Sequence, residues 1–397
     1  MRVEETAGGK PDKPLPRLSL AVAIAALVLL AGLLVAAPRA NFLLRWEHST
    51  ADLRTSLFSD RRSDLHPQIA LVKITDASIP TTPIDRGFLA NLVKAVDEAA
   101  PQAIGLDIFF RRATEEGKDK ALQAALRDAK ANVVVAAWDE RGMDDPGQQA
   151  YQAQFIAATG RRAGFLNLQH ERDRIVRFAA EPAPGSRYPE SFALLLARAA
   201  VAGAGTNYGR IAWLQRAEGN NPLARLINLD GSSPFAEVSA ADLLGPDGGK
   251  HRDKLAGKIV LIGVDLKVSA DNHRTPLAAW SGTETPGVAI HAQMVAQMID
   301  GRRVADLGYG AGTIAMLVGL ALVGGLAGWR FRYRKYDFLS WGMAAAVLVG
   351  IDAVVFKVGH IILPFLMCML AWFGGVTAGH HLGRVYDWFS DRRAGGA

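Results

Sequence analysis

Several side chains in this 397-residue sequence combine types that can do chemistry with positions where chemistry is often found. Asp76 follows the β-branched run Ile69 to Thr75, Asp107 lies near the end of the run Ala103 to Phe110, and Asp265 and Asp271 follow the run Lys258 to Val264. Arg86 and His291 are the cation and the titratable ring that could join them. If these runs are parallel strands of one open sheet, the carboxylates share its carboxyl edge, where loops converge and ligands tend to sit. Carboxylates beside a guanidinium and an imidazole suit a cation, a cationic ligand or a polar partner group. Plainer roles compete. Asp at a strand end caps turns and helices, with Arg86 as an ion partner, and a histidine within an apolar helix face is commonly a satisfied core residue. Both readings stay open, and Asp76, Arg86, Asp107, Asp271 and His291 form the candidate ligand-binding set.

Other chemistries lack their residues. The sequence holds no Gly-x-Ser-x-Gly elbow, no Gly-x-x-x-x-Gly-Lys-Ser/Thr loop, no Gly-x-Gly-x-x-Gly after a strand and no His-Glu-x-x-His. Its 9 histidines are scattered, and the adjacent His380 and His381 point in different directions around a helix. No catalytic residue, metal or cofactor is expected. The net charge of +6 is spread out and concentrates only beside apolar runs, which fits anionic lipid rather than nucleic acid. The single cysteine, Cys368, lies inside such a run, so no disulfide is expected and the thiol is a small apolar filler.

The elements that must position the candidates follow from periodicity. Asp85 can cap a helix whose apolar positions Phe88, Leu89, Leu92, Val93 and Val96 share one face, and Pro101 ends it. An amphipathic stretch from Lys118 to Lys130 precedes the continuous apolar run Val133 to Ala137, the pattern of a strand covered on both faces. This is β-α-β-α-β. Further strands are expected at Gly164 to Leu168, Arg174 to Ala179, Leu226 to Leu229 and Lys258 to Val264, with helices at Pro189 to Ala202 and Pro286 to Ile299. The expected fold is an α/β domain with a mainly parallel sheet flanked by helices. The leading segment Met1 to Pro16, rich in Gly, Pro and charge, is expected to be disordered.

Apolar runs at the two ends add a membrane region. Leu18 to Ala37 is uncharged and matches the roughly 20 residues needed to span a bilayer. A cleaved signal peptide is the weaker reading, because its best small-residue site runs into Pro38. Three more runs, Tyr309 to Trp329, Leu339 to Phe356 and Ile361 to Ala378, complete an expected four-helix transmembrane region. One set of flanks carries Arg2, Lys10, Lys13, Arg17, Arg330, Arg332, Arg334, Lys335, Arg384, Arg392 and Arg393; the other carries Arg39, Arg45, Arg302, Arg303 and Lys357. The positive excess marks the first set as cytoplasmic. The expected order is a cytoplasmic tail 1–17, a span 18–37, an outside domain 38–308, spans 309–329, 339–356 and 361–378, and a cytoplasmic tail 379–397. Asp352 falls near the outer end of its run, where it is expected to reach water or Lys357. Gly324 with Gly328 and Gly375 with Gly379 have the spacing of close helix packing, within the bundle or between protomers. Paired broken helices with midplane charges are missing, which argues against a transporter.

Three blocks carry a family resemblance. Ile69-Ala-Leu-Val-Lys-Ile-Thr-Asp-Ala-Ser78, Asp85-Arg86 and Gly105-Leu-Asp-Ile-Phe109 resemble the first half of a type-two CHASE domain. Gly257-Lys-Ile-Val-Leu-Ile-Gly263, Asp271 before Thr275-Pro276, and Pro286-Gly-Val-Ala-Ile-His-Ala292 resemble its closing block. The resemblance covers about residues 50–305 and implies an extracytoplasmic sensory domain of a bacterial receptor, followed by three membrane helices. The expected function is a sensor that binds a ligand or partner and signals to a separate effector, with lipid contacts and a homo-oligomer or an envelope protein as partner. A non-signalling subunit of an envelope complex is the alternative.

Overall fold

Strand β1 (Ile69–Ile74) is buried almost throughout because it is apolar on both faces: Ala70, Val72 and Ile74 enter one core, Ile69 and Leu71 the other. The same pattern makes β2 (Ala103–Asp107), β3 (Asn132–Ala137) and β6 (Ile259–Val264), while β4 (Arg162–Phe165) and β5 (Ala236–Ser239) are short and only half-buried. In the computed structural model these six strands form one sheet in the order β5-β1-β6-β2-β3-β4, every neighbouring pair parallel. The structure describes residues 16–36, 41–78, 84–201, 232–267, 269–277, 284–332 and 337–395, with residue 282 and the short pieces 221–222 and 226–228. The segment up to residue 15, Leu229 and residues 333–336 of the loop after residue 330 lie outside them.

Two layers of helices cover the sheet. The bundle-like first layer is α3 (Arg86–Glu98), α4 (Glu116–Asp128), α5 (Pro146–Thr159) and the short α7 (Ala240–Leu244); the second is α6 (Phe192–Ala200) and α8 (Gly287–Ile299). Asp85 caps α3 by accepting from the Phe88 N–H at 2.9 Å, as its position predicts. The helix expected from Pro189 begins only at Phe192, where Ser191 Oγ accepts from the Leu194 N–H. Pro286 precedes α8 as its N-cap residue instead of sitting in its first turn. Val176–Ala179 leaves the main sheet and pairs antiparallel with Gln169–His170 and Asn221–Pro222, while Leu226–Asn228 pairs with Asp60–Arg62.

Two helices precede this domain, α1 (Arg17–Ala36) and α2 (Asn41–Phe58), and three follow it, α9 (Ala311–Arg330), α10 (Asp337–Gly359) and α11 (Phe365–Gly395). By length and composition the last three can cross a membrane. The apolar stretch of α1 with described side chains, Arg17–Leu33, is shorter, so a fourth span is not shown. The run expected to be helical from Ile361 starts as a strand: Ile361–Ile362 pairs with Ala305–Asp306 and ties the end of the α/β domain to the turn between α10 and α11. The small-residue seams lie inside the chain. A Cβ on Gly328 would meet the Val376 carbonyl oxygen at 2.1 Å and one on Gly379 the Gly325 oxygen at 1.9 Å, so these glycines let α9 and α11 touch backbone to backbone. Cys368 is buried with Leu30, Leu317 and Met367 in that bundle, as a filler.

Candidate functional site

The parallel sheet places the carboxyl ends of β2, β3, β4 and β6 at one edge, and a crevice of about 860 Å³ opens there. Four expected residues line it: Arg86, Asp107, Asp271 and His291. Asp107 ends β2 opposite Gly263 of β6, and His291 comes in on α8. Gly263 permits this, because a Cβ there would lie 2.5 Å from Val288 and push the helix away.

Asp107 is buried, and its Oδ2 has no hydrogen-bond partner. Burial first, and then the Asp271 carboxylate, push its pKa well above the ordinary carboxylate range. His291 is 3% exposed, its Nδ1 also lacks a partner, and burial drives its pKa down to about 4. The ring stands edge-on to Phe192, with centroids 5.6 Å apart, so it is fixed by packing without being fully satisfied. Asp271 accepts from His273 Nε2 at 3.1 Å, and His273 Nδ1 lies 2.9 Å from His170 Nε2.

Two acids at the same sheet edge, and Arg86 on the crevice wall, have contacts of their own. Asp76 is not among the crevice residues; it accepts from the Lys267 N–H at 3.1 Å and straps a loop. Asp265 lies 3.0 Å from Lys73, which also meets Glu237. Arg86, on the crevice wall, lies 3.5 Å from Asp119 and over Phe110, and its buried Nε has no hydrogen-bond partner.

Residues that sequence reasoning passed over complete the crevice. The Phe109 and Trp138 rings stack with centroids 4.5 Å apart, Arg111 lies over Phe109 at 4.9 Å, and Arg112, His170 and His273 line the same space. The Gln152 amide holds the Trp138 backbone on both sides, accepting from its N–H at 3.0 Å and donating to its carbonyl at 2.8 Å. A signal existed for part of this: Phe109, Arg111 and Arg112 directly follow a strand-end acid, and His273 stands two residues after Asp271. Nothing local marks Trp138 or His170. No group of three or more His, Cys, Asp or Glu among the described residues is arranged to hold a metal.

The CHASE2 domain matches the chain over residues 23–326, from within α1 to within α9. The chain belongs to the CHASE2 family. It is thus a membrane protein with an extracytoplasmic sensory domain, followed by three apolar helices. No curated protein matches the chain, and no solved structure does.

A second charged cluster lies where the CHASE2 domain meets the membrane helices, and α2 is its centre. Arg177, from the strand Val176–Ala179, grips Asp52 of α2 with two hydrogen bonds of 2.8 Å and also pairs with Glu171 and Asp173. Two residues further along α2, Arg54 pairs with Asp352 of α10 and donates to the Leu363 carbonyl at 3.0 Å. Asp352 is therefore not turned to water or to Lys357, as its sequence position implied; it is 6% exposed and neutralised by Arg54. Glu47 accepts from the Leu366 and Met367 N–H groups at 3.0 and 2.8 Å, capping α11. Burial raises the Glu47 pKa to about 7 in spite of those bonds.

Proposed function

We propose that the protein is a sensor that binds a small molecule in the strand-end crevice and passes the bound state through α2 to the membrane helices, where a separate cytoplasmic or membrane partner reads it. One observation carries this reading: three buried polar atoms, Asp107 Oδ2, His291 Nδ1 and Arg86 Nε, stand without hydrogen-bond partners beside a crevice large enough for a ligand. An unsatisfied buried polar group costs about 1–3 kcal/mol. A purely structural role leaves that cost unexplained, whereas a ligand would supply partners to such atoms.

Transmission rests on α2, which touches the sensory domain through Asp52 and the membrane helices through Glu47 and Arg54. Its opposite side exposes Phe42, Trp46, Leu53 and Leu57, spaced to form one stripe on a helix. That stripe fits a helix lying in the outer lipid interface. In the same reading Leu18 to Ala37 is a fourth span and both termini are cytoplasmic, because the positive excess flanks that side. An export-dependent phosphatase fused at Gly160 is then active and one fused at Asp337 or Ala397 is not; activity at Ala397 would exclude an even number of spans.

Purification in gentle detergent followed by mass spectrometry tests the binding reading. A small molecule that copurifies with the wild type and is lost from Trp138→Ala supports it. A stoichiometric partner chain with no small molecule favours a fixed assembly surface instead.

A further inference from the structure

The crevice has two chemically different ends. At its floor are hydrogen-bond acceptors, with the buried Arg86 guanidinium on the wall. The His291 ring bonds the Leu166 backbone, and neither its Nδ1 nor Asp107 Oδ2 has a hydrogen-bond partner. Asp271 adds a carboxylate close enough to act electrostatically on both. An incoming group that donates several hydrogen bonds and carries positive charge satisfies all three. A metal ion fits less well, because no set of three ligands is arranged for one among the described residues.

At its mouth are cations. Arg111 and Arg112 are exposed, and no carboxylate pairs with either among the described residues; Arg111 is steadied only by the faces of Phe109 and Trp138, at 4.9 and 5.9 Å. Guanidinium groups held on aromatic faces with their N–H edges free are receptors for carboxylates. Between floor and mouth the stacked Phe109–Trp138 pair offers an apolar wall.

We propose that the crevice recognises a zwitterion, an amino acid or short peptide, with its ammonium at Asp107, Asp271 and His291 and its carboxylate at Arg111 and Arg112. This rests on the sensor reading above and adds the chemistry of the ligand. The two-ended arrangement discriminates against either function alone: a simple amine leaves the arginines unused, and a simple acid leaves the floor unsatisfied. An ammonium arriving there also stabilises the Asp107 carboxylate, which burial otherwise disfavours.

The test uses the full-length protein in detergent, with thermal shift and Trp fluorescence as readouts. The probes are free α-amino acids, di- and tripeptides, the matching amines without the carboxyl, the matching acids without the amine, and calcium and zinc salts. Zwitterions are expected to raise the melting temperature, and the single-function analogues to bind about tenfold or more weakly. Whether free amino acids or peptides bind better identifies the source. Arg111→Gln, at an exposed position, is expected to weaken the zwitterion about tenfold while leaving the amine unchanged; Asp271→Asn should weaken both zwitterion and amine, and it serves if Asp107→Asn fails to fold. Binding of amines or acids as tight as the zwitterion, or indifference to Arg111→Gln, would overturn the inference. Binding of a metal or a lone acid, lost in Trp138→Ala, overturns the zwitterion and leaves the sensor reading standing. Absence of binding by every probe class overturns the zwitterion, and if no copurified small molecule is found either, the sensor reading falls with it.

Discussion

The strand-end crevice and the junction beneath the domain are both built from buried charge, yet they treat it oppositely. At the junction the buried ionic side chains of α2 each meet a partner from another element: Asp52 meets Arg177, Arg54 meets Asp352, and Glu47 meets the first amides of α11, with only Arg54 Nε among their atoms left over. In the crevice Asp107 and His291 keep polar atoms with none. A network of paired charges holds elements in register, because breaking any link strands its partner in a poor solvent. An unsatisfied pair holds nothing and is ready to receive something. The contrast separates a part that keeps geometry from a part that changes occupancy.

The contrast breaks most visibly at Arg177. Replacing it with Met leaves Asp52 buried without its cation, and the loss should be about 3–5 kcal/mol. Denaturant or thermal unfolding followed by near-ultraviolet circular dichroism reads this directly; an unchanged midpoint would remove the structural role of the junction. Arg54→Gln and Asp352→Asn should each be damaging alone, while the double variant should lose markedly less than the sum of the two, because the second change removes the stranded charge. Additive losses would mean that the two side chains do not act as a pair.

Acid and alkali should distinguish the two regions. His291 stays neutral in the folded protein down to about pH 4, whereas an ordinary histidine takes its proton near 6.5. The unfolded chain therefore binds more protons in that window, and stability from this site is full above 6.5 and declines as pH falls toward 4. Glu47 has the opposite sign. Its folded pKa is about 7 against an ordinary 4.5, so its contribution is full below 4.5 and is lost as pH rises through 7. Asp107, also raised, acts in the same direction as Glu47, so the histidine effect is cleanest in an Asp107→Asn background. Melting temperature against pH should flatten on the acid side in His291→Gln and on the neutral side in Glu47→Gln.

The smallest expected effect is Asp107→Asn itself. With no partner to lose at Oδ2 it should cost less than about 1 kcal/mol, and because burial makes that carboxyl hard to ionise, the change should turn stabilising as pH rises. A loss as large as that of Arg177→Met would show that the crevice and the junction do not differ in the way their hydrogen bonds imply.

Much of the α/β domain was legible because its cues are local. Continuous apolar runs marked β1, β2, β3 and β6, Asp85 marked the start of α3, and the order of runs implied parallel strands. Strand β5 was missed since Ala236–Ser239 alternates polar and apolar and is only four residues long. Helix α2 was missed because charged and apolar residues mix along it; the outward stripe of Phe42, Trp46, Leu53 and Leu57 was the available signal. Of the candidate acids, the sequence could place Asp76, Asp107, Asp265 and Asp271 at one edge, but it could not separate those that strap loops and pair with lysine from the one left unsatisfied.

The sequence by itself determined the apolar runs that can enter a membrane, the strand and helix periods of the outer domain, and the edge on which its acids gather. These depend on side-chain type and short-range spacing, which fix burial and backbone preference directly. Only the tertiary structure decided which charges meet. Arg54 and Asp352 stand 298 residues apart, and Arg177 and Asp52 stand 125 apart. No local preference brings such groups together; the helices and strands that carry them must first pack. The stacking of Trp138 on Phe109 and the solitary Oδ2 of Asp107 are products of the same packing. Whether a polar atom is satisfied depends on every group around it in space, and its neighbours in the chain are only a few of those.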